Sequence, residues 1–325
     1  MKIVMIGEAA NHKDKLQASL QGSYDIVGLP REAAWSASSD GVIAPDDVVV
    51  TLRFARPDGA PPFRLLHVPG AGLDGIDFGS LPPGCAVCNV FEHEIPIAEF
   101  VLLAMLEWQI RLSAMRRSFT PETWSAVYRN RVPHGELFGK TLGLVGFGRI
   151  GRAIAVRART FGMRVIALDA TTTDPAGLAE IVLPPSEQPR LLADADFLVI
   201  ACPLTENTRG SIDSDALGHM KPSAVLINIS RAEIVDEDAL YRALADGVIA
   251  GAFLDVWYCY PAGSDDAAPP SRQPFHTLPN VYATPHSSAW TDALPRRRYA
   301  VIAENIRRLG GNEPLLNLVR PAAVA

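Results

Sequence analysis

The stretch Gly143-Leu144-Val145-Gly146-Phe147-Gly148-Arg149-Ile150-Gly151 decides the fold. It contains G-x-G-x-x-G, a weak pattern by itself. Here Leu142–Val145, which leads into it, reads as a short buried strand, and Ile150–Phe161 after it reads as a helix. That context makes the pattern a dinucleotide turn. Gly146 permits the tight turn, Gly148 lets backbone approach a pyrophosphate, and Gly151 lets helix and strand pack closely. Arg149 and Ile150 add N–H groups at the helix N-terminus, whose partial positive charge favours phosphate. Such a turn calls for an acid about 20 residues on, at the end of the next strand. The strand Arg164–Asp169 supplies Asp169, 18 residues beyond Gly151 (151 to 169). Its carboxylate would accept hydrogen bonds from ribose hydroxyls and repel a 2′-phosphate. Ala170-Thr171-Thr172 follows without an Arg, so NAD is favoured over NADP.

Working outward, the αβ rhythm continues. Asp196–Cys202, Ala224–Asn228, Ala250–Leu254 and Asn280–Ala283 read as strands, with Asp236–Ala245 helical among them. Strands alternating with helices imply a doubly wound parallel sheet. Upstream, Lys2–Gly7, Asp47–Leu52 and Arg64–Val68 repeat the rhythm, which ends near Asn89-Val90. Ile97 to Arg117 reads as one long helix, apolar on most faces, as expected of a helix buried between layers or domains. Ser118–Glu136 is polar and irregular, with Pro121 and Pro133 as breakers. Asp292–Leu309 reads as a helix that follows the completed second sheet and returns to the first domain. The expectation is an α/β protein of two Rossmann-like, doubly wound parallel-sheet domains with an interdomain cleft. A discontinuous substrate-binding domain (1–96 plus 290–325) would accompany a dinucleotide-binding domain (97–289). Because the glycine turn lies in the second, the first would hold substrate over the nicotinamide.

Composition narrows the function classes. The 325 residues are 48% hydrophobic and 20% charged, ordinary globular values, so disorder is not the default. The net charge of −6, from 30 basic and 36 acidic residues, gives no basic excess to attract nucleic acid or an anionic membrane. The most apolar run, Phe100–Leu106, is far short of the about 20 residues a membrane helix needs. The N-terminal run is short and ends in Glu8, unlike a signal peptide. A cytoplasmic protein is expected. Four cysteines make no disulfide framework. Cys85 and Cys88 form a C-x-x-C, but no second pair stands at zinc-ligand spacing, so no metal is expected.

At this point the chain resembles the D-isomer-specific 2-hydroxyacid dehydrogenase family. Asn228-Ile229-Ser230-Arg231-Ala232-Glu233-Ile234-Val235-Asp236-Glu237 resembles its N-x-x-R-G-x-x-V-D-E block, with Ala232 for the usual Gly. Leu254-Asp255-Val256-Trp257 resembles its L-D-V-F block and Thr284-Pro285-His286 its T-P-H block. The resemblance implies a hydride transfer between a nicotinamide and a small D-2-hydroxy acid or its 2-oxo acid. Arg231 would fork onto the substrate carboxylate and polarise the carbonyl. His286 would exchange a proton with the hydroxyl. Asp255 would hold the nicotinamide carboxamide, the plain alternative being a turn cap. Ala71 and Gly72, in Val68-Pro69-Gly70-Ala71-Gly72-Leu73-Asp74, resemble the G-A-G-x-D loop whose N–H groups bind the carboxylate as an anion nest. Arg53, just past a strand, is a further candidate anion contact with no motif behind it. Cys202, Pro203, Thr208 and Ile229 would line the cofactor path. A homodimer is implied, through the cofactor domain and Ser118–Glu136.

One position departs from the pattern. The family usually carries a Glu five residues after the Asp of the L-D-V block, where it pairs with the histidine and raises its pKa. Here that residue is Tyr260. Asp265 and Asp266 lie just beyond it. Tyr260 is expected either to hydrogen-bond His286, which would keep a lower pKa, or to shape the substrate pocket. Formate dehydrogenases, a branch of the same family, also lack this Glu, so oxidation of a small oxyanion is an alternative. An NAD(H)-sensing interaction protein with little turnover is another.

Overall fold

The computed structural model describes residues 1–22, 24–171, 173–174, 176–261 and 267–321. By its internal contacts the chain divides into two units, Met1–Glu92 with Thr291–Ala325, and His93–Trp290. The first break falls after Glu92 rather than after Pro96, because a helix already begins at Glu94.

In the first unit, β1 (Ile3–Ile6), β2 (Ile26–Leu29), β3 (Val48–Val50), β4 (Leu65–His67) and β5 (Ala86–Cys88) form a parallel sheet in the order β2-β1-β3-β4-β5. A short strand from the tail, Leu318–Arg320, adds to β5 antiparallel. Strands β1, β3, β4 and β5 are buried along their whole length, which is why they show no polar alternation. On one face Ile3, Met5, Val48, Val50 and Leu65 pack with Tyr299, Ile302 and Ile306 of the C-terminal helix, Ala293–Gly310. On the other, Val4, Ile6, Val49, Leu66 and Val87 pack with Phe54 and Phe63. Cys85 belongs to the second cluster and Cys88 to the first, so the two thiols lie on opposite faces of the sheet. Burial raises them to about 11 and about 12. Among the described residues, no group of three His, Cys, Asp or Glu side chains could hold a metal ion.

The second unit begins with α2 (Glu94–Ile110); α1 (Lys13–Ser19) belongs to the first. The long helix expected over Ile97–Arg117 is broken, because Arg111 takes a left-handed conformation (φ 57°) and α3 (Leu112–Ser118) starts anew. Nor is α2 buried all round, since Leu103 is 63% exposed. The segment read as irregular contains a short helix, α4 (Trp124–Arg129). The sheet follows as β6 (Thr141–Val145), β7 (Arg164–Leu168), β8 (Ile181–Leu183), β9 (Phe197–Ile200), β10 (Val225–Asn228), β11 (Gly251–Leu254) and β12 (Val281–Ala283). All are parallel, in the order β8-β7-β6-β9-β10-β11-β12. Strand order reverses between β6 and β9, and such a reversal opens a crevice at the carboxyl ends of the strands. Helix α5 (Arg149–Thr160) buries Gly151, Ile154, Ala155 and Ala158 and turns its arginines outward. Among the described residues, no helix is long and apolar enough to cross a membrane.

His67 on β4 is wholly buried, and Asn305 Nδ2 lies 2.9 Å from its Nε2. With Asn305 donating there, Nδ1 carries the proton and faces the Val68 carbonyl. Burial pushes the imidazole down to about 4, from 6.5. Between those values the unfolded chain binds a proton that the folded one refuses, so stability is full above pH 6.5 and falls toward pH 4. At 1.36 kcal/mol per unit the loss is about 3 kcal/mol. Chemical denaturation across this range should show that loss in the native protein, and His67→Gln, which cannot titrate, should lack it. An equal loss in both proteins would contradict the assignment.

Candidate active site

The site of the second unit lies along the carboxyl edge of its sheet, one loop per strand. After β6 comes the glycine turn. Gly146 has φ +101°, and a Cβ there would meet Cys202 N at 2.6 Å, at the end of β9. A Cβ on Gly151 would meet Gly146 O at 2.4 Å. These two glycines are required by the fold itself. Gly148 differs, because a Cβ there would meet nothing within 4 Å. It caps α5, with Arg149 and Ile150 in the first turn. The space beside Gly148 and the N–H groups of that turn suit a pyrophosphate. Asp169, just past β7, accepts the Phe147 N–H at 2.8 Å and the Thr171 N–H at 3.0 Å. The acid thus fixes the turn. Thr172 lies outside the described residues.

Past β9, the Ser230 hydroxyl bonds to the Cys202 carbonyl. The Cys202 thiol is buried and raised to about 11, so it is no nucleophile. Thr208 Oγ1 donates to the Pro203 carbonyl at 2.7 Å and accepts the Thr205 N–H at 2.8 Å, closing the turn between them. The Ile229 side chain is packed into the core.

Arg231 follows β10. Asn228 holds its loop, donating to the Arg231 carbonyl at 3.0 Å and accepting the Ser230 N–H at 3.1 Å. Arg231 is half-buried, and its Nη1 donates to the Ser230 carbonyl at 2.8 Å. Ala232 needs no left-handed backbone and begins a 3-10 turn, which is why a Cβ is tolerated there.

Asp255 follows β11 and is fully buried. Its Oδ1 accepts the Thr284 hydroxyl at 2.7 Å and the Ser287 N–H at 2.8 Å, and its Oδ2 accepts the Ser288 N–H at 2.9 Å. Three of its roughly four acceptor positions therefore hold the loop after β12. The observed role is the turn cap, and it leaves about one acceptor position for the nicotinamide contact that the sequence suggests. The Trp257 indole N–H adds a bond to the Thr284 carbonyl at 2.8 Å.

His286 sits in this loop with a left-handed backbone (φ 56°), a conformation a non-glycine residue keeps only when its surroundings enforce it. Tyr260 Oη lies 2.7 Å from His286 Nδ1 and accepts the Trp257 N–H at 3.2 Å. The imidazole is solvent-exposed at its surface, yet the protein around it penalises its charge and lowers its pKa. The Asp255 charge pushes the other way and Arg231 adds to the lowering. Burial raises the Tyr260 phenol, so it stays protonated. Asp265 and Asp266 lie outside the described residues.

The second unit thus brings Gly146, Gly148, Gly151, Asp169, Cys202, Arg231, Asp255, Tyr260 and His286 to one sheet edge. The sequence reading assigned no role to Asn228, Trp257, Thr284, Ser287 or Ser288. Asn228, Trp257 and Thr284 stand inside the blocks carrying Arg231, Asp255 and His286, and Ser287 and Ser288 follow the last of these with no signal of their own. Arg53, Ala71 and Gly72 belong to the first unit. There Gly75 approaches the Leu52 carbonyl so closely that a Cβ would meet it at 2.5 Å. Asn89 Nδ2 holds the Ala71 carbonyl at 3.0 Å, and among the described residues no acceptor meets the Ala71 or Gly72 N–H. Arg53 is exposed.

A family model for the NAD-binding domain of D-isomer specific 2-hydroxyacid dehydrogenases matches residues 102–288. The chain belongs to that family. Dehydrogenases of this family are oxidoreductases, and the domain just described is their NAD-binding domain. Over 276 residues the chain is 32% identical to a glyoxylate reductase of Korarchaeum cryptofilum, covering 82% of this chain and 79% of that one. It is 33% identical to a hydroxypyruvate reductase of Thermotoga maritima, covering 75% of this chain and 76% of that one. A D-3-phosphoglycerate dehydrogenase of Methanocaldococcus jannaschii is 32% identical over 80% of this chain, which spans only 48% of that relative. A family crystal structure from Aeromonas salmonicida shares the fold with a TM-score of 0.77 at 22% identity, covering 98% of both chains.

The glycines make a separable prediction. Gly148→Ala should keep thermal stability within about 1 kcal/mol, because the Cβ meets open space. It should weaken NADH binding tenfold or more in a fluorescence titration. Gly146→Ala should lower stability by about 3 kcal/mol or more, through backbone strain and the clash at Cys202. Normal NADH affinity in Gly148→Ala would contradict the placement of the pyrophosphate.

Proposed function

We propose that the protein interconverts a small 2-oxo acid and its D-2-hydroxy acid, with NAD preferred over NADP. The observation that carries the reading is the arrival of Arg231 and His286 on carboxyl-edge loops of the sheet that bears the glycine turn, after β10 and β12, with the Asp255–Tyr260 loop between them. The dinucleotide, when bound, supplies or accepts the hydride. Arg231 presents a fixed cation for the substrate carboxylate and draws charge toward the carbonyl oxygen. His286 moves a proton at that oxygen, giving it in reduction and taking it in oxidation. Asp169 supports NAD, because its carboxylate would face a 2′-phosphate as a like charge. In the first unit, the Ala71 and Gly72 N–H groups and Arg53 are proposed as anion contacts.

A panel of short 2-oxo acids, glyoxylate and hydroxypyruvate among them, should oxidise NADH faster than NADPH. His286→Asn should lower kcat by about 10²–10⁴-fold. Arg231→Gln should cut kcat/KM by about a hundredfold or more, through loss of a charged bidentate contact. NADH binding without turnover of any acid in either direction would contradict the reading and favour an NAD(H)-sensing role.

We also propose a homodimer through the arm that follows α2. Leu112, Phe119, Val132 and Phe138 are 57–83% exposed there, an apolar concentration unusual on a monomer surface. A cavity of about 980 Å³ opens beside them, lined in part by Trp108, Met115, Val127 and His134. Light scattering should give twice the chain mass of 35.0 kDa, and a single-chain mass would refute the dimer.

A further inference from the structure

We propose that Tyr260 is a positioning residue that donates its hydroxyl proton to His286 Nδ1 and so holds the resting imidazole as the Nε2–H tautomer. The tautomer stands on geometry alone. Only its kinetic consequence rests on the hydride-transfer reading.

The direction of the bond follows from what surrounds the phenol. Tyr260 Oη already accepts the Trp257 N–H at 3.2 Å, so its one proton is the group left to place. His286 Nδ1 stands 2.7 Å away. Among the described residues, no other acceptor meets that hydroxyl. The reverse arrangement, with Nδ1–H donating to the phenol, would send the phenol proton to solvent and leave this close acceptor unused. Trp257 fixes both partners, through its N–H to Tyr260 and its indole to the Thr284 carbonyl of the histidine loop. The pair is therefore held from a single residue at the end of β11.

A carboxylate at position 260 would do the opposite. It only accepts, so it would demand Nδ1–H and favour the imidazolium. The phenol favours the neutral ring. The other charges facing the pair are Asp255, which favours the imidazolium, and Arg231, which opposes it. Burial above all, then Asp255 and Glu233, keep the phenol protonated, against the Trp257 hydrogen bond and Arg231. In reduction, the hydride carries two electrons to the carbonyl carbon. The imidazolium, its Nδ1–H turned to the Tyr260 oxygen, gives its Nε2 proton to the carbonyl oxygen and is left as the neutral Nδ1–H ring, which regains the resting tautomer by exchanging protons with water. The neutral ring must be protonated before this step, so reductive kcat/KM should fall as pH rises through a value below the ordinary 6.5 of histidine.

The test is ¹⁵N NMR of the full chain labelled at histidine, at pH 8, with the His286 signals assigned by their loss in His286→Gln. The native protein should show a pyridine-like Nδ1 and a pyrrole-like Nε2. Tyr260→Phe should move His286 to a mixture of tautomers, and Tyr260→Glu should reverse them. In the same variants, Tyr260→Glu should shift the pH limb of reductive kcat/KM upward by about one unit or more. A pyrrole-like Nδ1 in the native protein, or unchanged signals in Tyr260→Phe, would overturn the proposal. So would a pH limb in Tyr260→Glu that stays in place. Absence of turnover with every 2-oxo acid would defeat the functional reading and leave the tautomer result standing.

Discussion

The Asp255 carboxylate is the constraint on which the candidate site depends. It is fully buried at the end of β11, and a buried charge persists only when it is well bonded. Three donors from the loop after β12 meet that need. In return the loop acquires one conformation, including the left-handed backbone that turns His286 toward Tyr260. Because β11 and β12 are adjacent and parallel, with Leu254 opposite Ala283, the two loops leave the sheet side by side. Removing the carboxylate would strand buried N–H groups, each costing about 1–3 kcal/mol.

The same logic recurs along the edge. Asn228 pins the Arg231 loop, Asp169 pins the glycine turn, and Gly146 lets that turn meet the end of β9. Each loop with chemistry to do is fixed by a buried or half-buried polar residue on its own strand or on the adjacent one. The sheet supplies the register, and the polar neighbours fix the direction of each loop.

Much of this was legible in the sequence, for a physical reason. Buried parallel strands leave continuous apolar runs, so β1, β3, β4, β6, β7, β9, β10 and β11 could be read directly. Strand β2 could not, because Gly28 interrupts it and three of its four residues reach solvent. The edge strand Leu318–Arg320 is exposed and short, and β8 begins at a 37%-exposed Ile181. The break at Arg111 was invisible, since a left-handed arginine leaves no mark in an apolar pattern. In the site, Gly146, Gly151 and Asp169 were legible because turn geometry restricts the residue types. The bond between Tyr260 and His286 was foreseen only as one of two options. The work done by Asp255 could not be weighed at all, because its partners lie 29 to 33 positions away in the chain.

The most direct measurement is hydrogen–deuterium exchange across residues 284–290 in the native protein and in Asp255→Ala, with β10 as the control for an intact sheet. The account predicts slow exchange at Ser287 and Ser288 in the native protein and fast exchange in the variant, while β10 stays protected in both. Equal exchange of the loop in the two proteins would show that something other than this carboxylate sets the place of His286.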